Sequence, residues 1–265
     1  MVKLSESDLH FVVQTVVTSR RDYDHIVNLL RDKEDLVEPM LEDPKLLERL
    51  LQDEETLVRA SPHLLFSVLL RRVRQELEKE TYVLEPDSKG KRIPVFEAPA
   101  VAEMLGHNPV RDYLAEMLSS FTRTNSGVIY WKERGSWHKR RFSDTDIDDM
   151  VALARITDPE MRPALYRRIA DIALFVSGIF PDSAAVFATR RRTAFLARRT
   201  LDDYESEGKR FYSLAALETH EAQRQTIFGT LSQKFALARQ ALNALSDRYV
   251  KRRRTQYFRF RPGAN

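Results

Sequence analysis

An all-α fold, a multi-helix bundle of about ten helices, is predicted by this 265-residue sequence, and three observations carry the prediction. Apolar residues recur at three- and four-residue spacing through most of the chain. Glycine is scarce, 8 residues in 265 against a usual ~7%, which favours long helices over tight turns. Ser, Thr or Asp, often followed by Pro, repeatedly opens the apolar-periodic segments as an N-cap would. Two short β-prone stretches interrupt the pattern and predict inserted hairpins, a clear one near 128–142 and a weaker one near 82–96.

Ser5, with Asp8 three residues on, imitates a capping box, and Leu9, Val12, Val13, Val16 and Val17 follow at helical spacing. A first helix over Glu6–Ser19 is predicted, with a break at Arg20–Asp22 and a second helix through Ile26, Leu29 and Leu30. Between 32 and 60, the pairs Leu36–Val37, Leu46–Leu47 and Leu57–Val58 each follow acidic residues, and Pro39 and Pro44 forbid one continuous helix. Two or three short helices that need a surface to pack on are predicted there. The stretch MLEDPKLLERLLQDEETL resembles the short Asp-Pro-punctuated helices of client-binding chaperone modules. The likeness spans a few turns of common residue types and carries no function across.

Ser61-Pro62 opens a helix to Lys79, with Leu65, Leu69, Val73 and Leu77 on one face and Arg71, Arg72 and Arg74 on the opposite, polar one. Tyr82–Leu84 and Ile93–Phe96 flank a turn-rich Asp87–Lys91, with Pro94 confining its strand to an edge. Pro99–Leu105, stopped by Gly106, and a run from Pro109 to Phe121 predict two further helices. Val128–Lys132 and Ser136–Phe142 then flank a turn at Arg134-Gly135. Beyond it, Ser143 is expected to cap a helix reaching Ile156, and Asp158-Pro159 to open another. A long helix over Ala164–Phe180, apolar nearly all round after Ile169, is the predicted centre of the bundle. A shorter helix over Ser183–Phe195 follows, then a Thr200-capped helix towards Thr219 and one continuous last helix over Glu221–Arg253.

Charge is divided along the chain. Residues 1–80 hold 12 Lys/Arg and 17 Asp/Glu, a net of −5; residues 81–265 hold 31 and 22, a net of +9. An acidic helical region over 1–85 and a larger basic bundle over 86–265, or one continuous domain, are the organisations this supports, and the basic part suits an anionic partner. That partner is either another molecule or the acidic part of the same chain. There is no cysteine, which removes disulfides, thiolate metal sites and cysteine nucleophiles. The start of the chain has no export-signal pattern, and the longest nearly apolar stretch, Ile169–Phe180, is shorter than the about 20 residues that span a bilayer. A soluble, cytoplasmic protein without membrane insertion is expected.

No constellation specifies a reaction. Asp144, Asp146 and Asp148 alternate like the opening of a calcium loop, but Asp149 stands where that loop needs Gly and Arg155 where it needs Glu. The six histidines form no metal-binding helical pair, and phosphate-binding glycine loops and a nucleophile elbow are missing from the sequence. No cofactor, metal or catalytic residue is assigned. Asp171 stands in an apolar helix and requires a partner, for which Arg167 and Arg168 are in reach, either as a register-fixing ion pair or as the lining of a pocket. Basic clusters at Lys139, Arg140, Arg141, at Arg190, Arg191, at Arg198, Arg199 and at Lys251, Arg252, Arg253, Arg254 are interleaved with Trp131 and Trp137. Cations beside rings can neutralise phosphates while bases stack. The reading is therefore a non-catalytic binding or scaffold protein acting on a protein partner through helical and Arg/aromatic surfaces. The alternatives are an RNA or single-stranded-DNA binder using the basic surface, or a helical-bundle enzyme or small-molecule sensor with a pocket near Asp171. Oligomeric state is not encoded in any feature of the sequence.

Overall fold

The computed structural model describes residues 4–19, 22–52, 60–87, 91–123, 126–133, 136–181 and 199–258. The Leu57–Val58 pair, the predicted helix over 183–195, Arg190, Arg191, Arg198 and the tail from 259 lie outside the described residues. The protein is mostly helical with two antiparallel β-hairpins, as its periodicity predicts. Among the described residues, no helix is long and apolar enough to cross a membrane.

The chain divides into two compact units. The first comprises residues 1–81 and 97–119 and carries 13 Lys/Arg against 21 Asp/Glu, a net of −8. Its helices are α1 (Glu6–Val16), α2 (Tyr23–Asp32), α3 (Val37–Leu41), α4 (Pro44–Gln52), α5 (Pro62–Leu77), α6 (Ala98–Gly106) and α7 (Asn108–Ser120). The Ser5/Asp8 capping box forms, and the buried Asp8 carboxylate also accepts from the Ser61 backbone N–H at 2.9 Å, tying the start of α1 to the start of α5. α1 stops three residues short of Ser19. Thr15, Val16, Val17 and Thr18 are all β-branched, and Val17 leaves the helix with extended backbone. Ser61 caps α5 and Pro62 occupies its first turn. Leu64 to Leu70 are all buried, so the polar face assigned to α5 is narrower than its sequence indicates, and Arg71 is fully buried rather than solvated.

The second unit comprises residues 82–96 and 120–265 and carries 30 Lys/Arg against 18 Asp/Glu, a net of +12. The first hairpin pairs β1 (Val83–Pro86) with β2 (Arg92–Val95), Val83 opposite Val95 and Leu84 opposite Pro94. The second pairs β3 (Ser126–Glu133) with β4 (Ser136–Ser143). Then come α8 (Ile147–Ile156), α9 (Arg162–Ile179), α10 (Leu201–Glu218), α11 (Ala222–Gln233), α12 (Phe235–Leu245) and a last turn α13 (Arg254–Tyr257).

α9 is the centre of this unit. From Ile169 to Ile179 every residue is buried, and the helix packs chiefly on α10, then on α12 and α8. Its Phe175 stacks on Phe121 with centroids 4.0 Å apart and planes at 5°, and meets Phe258 edge-on at 5.0 Å and Phe180 at 5.5 Å. Close helix approach is bought with glycine: a Cβ on Gly178 would stand 2.6 Å from Leu242 Cβ, and one on Gly208 would overlap the Phe235 ring.

Two boundaries differ from the sequence reading. Ser143 ends β4 instead of capping a helix; the cap is Asp146, whose carboxylate accepts from the Asp149 N–H at 2.9 Å. Asp is as good an N-cap as Ser, and β4 takes Ser143 into its pairing with Ser126. The predicted continuous last helix is broken at Lys234 (φ −106°, ψ 29°), which turns Phe235 onto Gly208. It passes through a π turn at Ser246–Val250 and a 3₁₀ turn at Lys251–Arg253 before α13. At the π turn Ser246 Oγ donates to the Ile179 carbonyl at 2.9 Å, holding the end of α12 to the end of α9.

Candidate functional site: two buried charge clusters and a basic ribbon

In the first unit, two arginines that are 0% exposed share one carboxylate. Arg71 from α5 grips Glu38 of α3 with both ends of its fork, Nε to Oε1 at 3.1 Å and Nη2 to Oε2 at 2.5 Å. Arg111 from α7 donates its Nη2 to the same Oε1. Further acceptors surround the pair: the Ser67 carbonyl at 2.9 Å and Asp112 Oδ1 at 3.4 Å for Arg71, and the Leu105 carbonyl at 3.3 Å and Asn108 Oδ1 at 3.0 Å for Arg111.

Burial raises the Glu38 pKa, but the hydrogen bond from Arg71 and the charges of both arginines outweigh it and hold the carboxyl below its ordinary value. Burial, then the neighbouring Arg71 charge, lower that of Arg111. Close by, burial lowers the His63 pKa against the opposing charges of Asp112, Asp8 and Glu116, so this imidazole favours its neutral form. The cluster joins three helices distant in sequence. A five-residue helix such as α3 is not stable alone, and Glu38 pins it to α5 and α7.

The sequence reading sets Arg71 on a polar face and assigns no role to Glu38 or Arg111, although the signal exists. Arg111 lies in phase with Leu114, Ala115 and Leu118, and Arg71 with Leu64 and Val68, all of which are buried. A cation on the core side of a helical repeat requires a buried acid.

In the second unit, Asp171 is 4% exposed and its Oδ1 accepts from the Tyr212 hydroxyl of α10 at 2.8 Å. Arg167 Nε stands 3.9 Å from Oδ2. Arg168, the other sequence candidate, points its fork elsewhere: to Asp144 (Nη2–Oδ2 3.1 Å, Nε to the carbonyl 2.8 Å), to Ser120 Oγ at 2.8 Å, and over the Phe121 ring at 3.9 Å. Tyr212 lies forty-one positions from Asp171, beyond the reach of any spacing argument. Replacing Tyr212 with Phe is expected to cost the second unit about 1–3 kcal/mol, since a buried carboxylate oxygen loses its donor. Denaturant titration reads this, and an unchanged midpoint would show that the bond contributes nothing.

The acidic run resembling a calcium loop is taken up within the frame: Asp146 is the cap, Asp144 pairs with Arg168, and Asp148 pairs with Arg199. Among the described residues, no group of three or more His, Asp or Glu is placed to hold a metal ion.

The basic clusters fall in different surroundings. Arg199 lies between Asp148 and Glu207, 2.6 Å from each. Burial opposes its charge, but these hydrogen bonds raise its pKa above the ordinary value. Arg254 donates to Ser246 Oγ at 2.7 Å and stacks over Phe180, Lys251 is 4.0 Å from Asp247, and Arg252 is exposed beside the half-exposed Arg253. Arg239 pairs with Glu85 at 2.9 Å and Arg92 with Asp247 at 2.7 Å, strapping the first hairpin to α12 and the π turn.

Lys139, Arg140 and Arg141 lie together on β4, opposite Tyr130, Ile129 and Val128, with Trp131 opposite His138 and Trp137 opposite Lys132. Compared with known proteins, the chain matches no family model, no curated protein and no solved structure.

Proposed function

We propose that this is a non-catalytic binding protein that recognises an anionic macromolecule through basic segments carried on a helical frame. The observation that supports it is where the surplus charge resides. The second unit carries 30 Lys/Arg against 18 Asp/Glu, a net of +12, and the β3–β4 register brings Lys132, Lys139, Arg140 and Arg141 together on one ribbon. Elsewhere in the unit, Arg92, Arg168, Arg199 and Arg239 are paired to its own carboxylates. A cation with a carboxylate at 2.6–3.1 Å has little left to offer a partner, whereas a unit with twelve more cations than acids attracts anions. The clusters at Glu38 and Asp171 are engaged within the frame: buried Arg71 and Arg111 converge on Glu38, itself 32% exposed, and buried Asp171 accepts from Tyr212, which supports structural rather than chemical roles.

The reading predicts that the purified chain is retained on a heparin matrix at low ionic strength and is released as salt screens the contact. Flow-through in low-salt buffer at pH 7 would contradict it.

A further inference from the structure

The register of the second hairpin sorts its residues onto two faces of the ribbon. In an antiparallel pair, residues directly opposite share a face and successive pairs alternate. The pairs Val128–Arg141, Tyr130–Lys139 and Lys132–Trp137 therefore fall on one face, and Gly127–Phe142, Ile129–Arg140, Trp131–His138 and Glu133–Ser136 on the other. The first face collects three cations and two rings with no acid. The second mixes Gly127, Ile129, Trp131 and Phe142 with one arginine, one histidine, one serine and one glutamate.

Resting on the binding function proposed above, we infer that the Lys132/Lys139/Arg141 face binds single-stranded nucleic acid. Its bases stack on Tyr130 and Trp137 while its phosphates meet the three cations. Charge complementarity alone would suit an acidic protein equally, but that partner gives the rings no planar surface, whereas every base offers one. Spacing favours a single strand over a duplex. Tyr130 of β3 and Trp137 of β4 are diagonal neighbours across the ribbon, ~7–8 Å apart, a separation that splayed, unstacked bases can match and that duplex bases stacked every ~3.4 Å cannot.

The two tryptophans of the chain, Trp131 and Trp137, both lie in this ribbon, on opposite faces, so the intrinsic fluorescence of the whole protein reports on the ribbon alone. The experiment titrates the full chain with a single-stranded oligonucleotide, a duplex of the same sequence and polyglutamate. It is repeated with Trp131→Phe and Trp137→Phe, each verified by circular dichroism to keep its helix content. The inference expects quenching by the single strand, retained in Trp131→Phe and lost in Trp137→Phe. Affinity should fall with salt at a log–log slope of about −2, since each phosphate neutralised on a single strand contributes ~0.7.

Equal quenching by the duplex overturns the stacking argument, and quenching lost only in Trp131→Phe overturns the choice of face. A response to polyglutamate alone makes the partner an acidic protein, overturning the inference while leaving the broader function standing. No response to any of the three, with heparin retention intact, removes the ribbon from the site. Loss of heparin retention as well removes the function itself.

Discussion

Replacing Glu38 with alanine is expected to cost the first unit about 3 kcal/mol, the lower end of the range for a broken buried pair, because two fully buried guanidinium groups lose the carboxylate they share while that carboxylate is itself 32% exposed. Chemical denaturation followed by circular dichroism reads the loss. A triple replacement of Glu38, Arg71 and Arg111 by apolar residues of similar volume should recover much of it, since the penalty comes from unpaired charge rather than lost volume. A Glu38→Ala protein as stable as the parent would show that the arginines find other acceptors.

The same cluster sets the direction of pH dependence. Glu38 has a folded-state pKa below its ordinary 4.5, so its stabilisation is fully present above 4.5 and is lost as pH falls through the lower folded value. His63 is also depressed from 6.5 in the folded state, so below about pH 6.5 the unfolded chain takes up a proton that the folded one resists. Both groups make acid destabilising, the His63 contribution first and the Glu38 contribution at lower pH. In Glu38→Ala, the second of these should be lost.

Replacing Phe175 with alanine is expected to cost the second unit about 3–5 kcal/mol, the range for removing a buried aromatic ring. Its ring is fully buried among Phe121, Phe180 and Phe258, the last of which brings the end of the chain onto α9. The loss should extend beyond simple destabilisation: residues around Phe258 should exchange their amide hydrogens faster than those of α10. A drop in stability with unchanged exchange at Phe258 would mean that the other rings hold that segment without Phe175.

Local rules accounted for much of the helical fold. Ser5 with Asp8, Ser61 with Pro62, and Thr200 carry the start signals of their helices, and each cap forms, Thr200 with Asp203 completing its box. α9 was legible as a central helix because its apolar surface wraps all round after Ile169. What escaped was set by tertiary packing. The helical phase that sets Leu65, Leu69, Val73 and Leu77 on one face sets Arg71 on the other, yet burial around α5 extends to it. The break at Lys234 leaves no proline or glycine signal; it exists because Gly208, twenty-seven residues away, makes room for Phe235. Tyr212 as the donor to Asp171 follows from the packing of α10 on α9, which no spacing rule contains.

A second unit with a net charge of +12, and Lys132, Lys139 and Arg141 on one face of its β3–β4 ribbon, makes one comparison decisive. Polyanion affinity should be measured by fluorescence anisotropy with a labelled single-stranded oligonucleotide, at fixed salt, for the parent chain and for a variant carrying Lys132→Gln, Lys139→Gln and Arg141→Gln. Large loss of affinity and a salt slope shallower by about 2, with helix content unchanged, is the predicted result. Equal affinity and equal slope in the two proteins would contradict it.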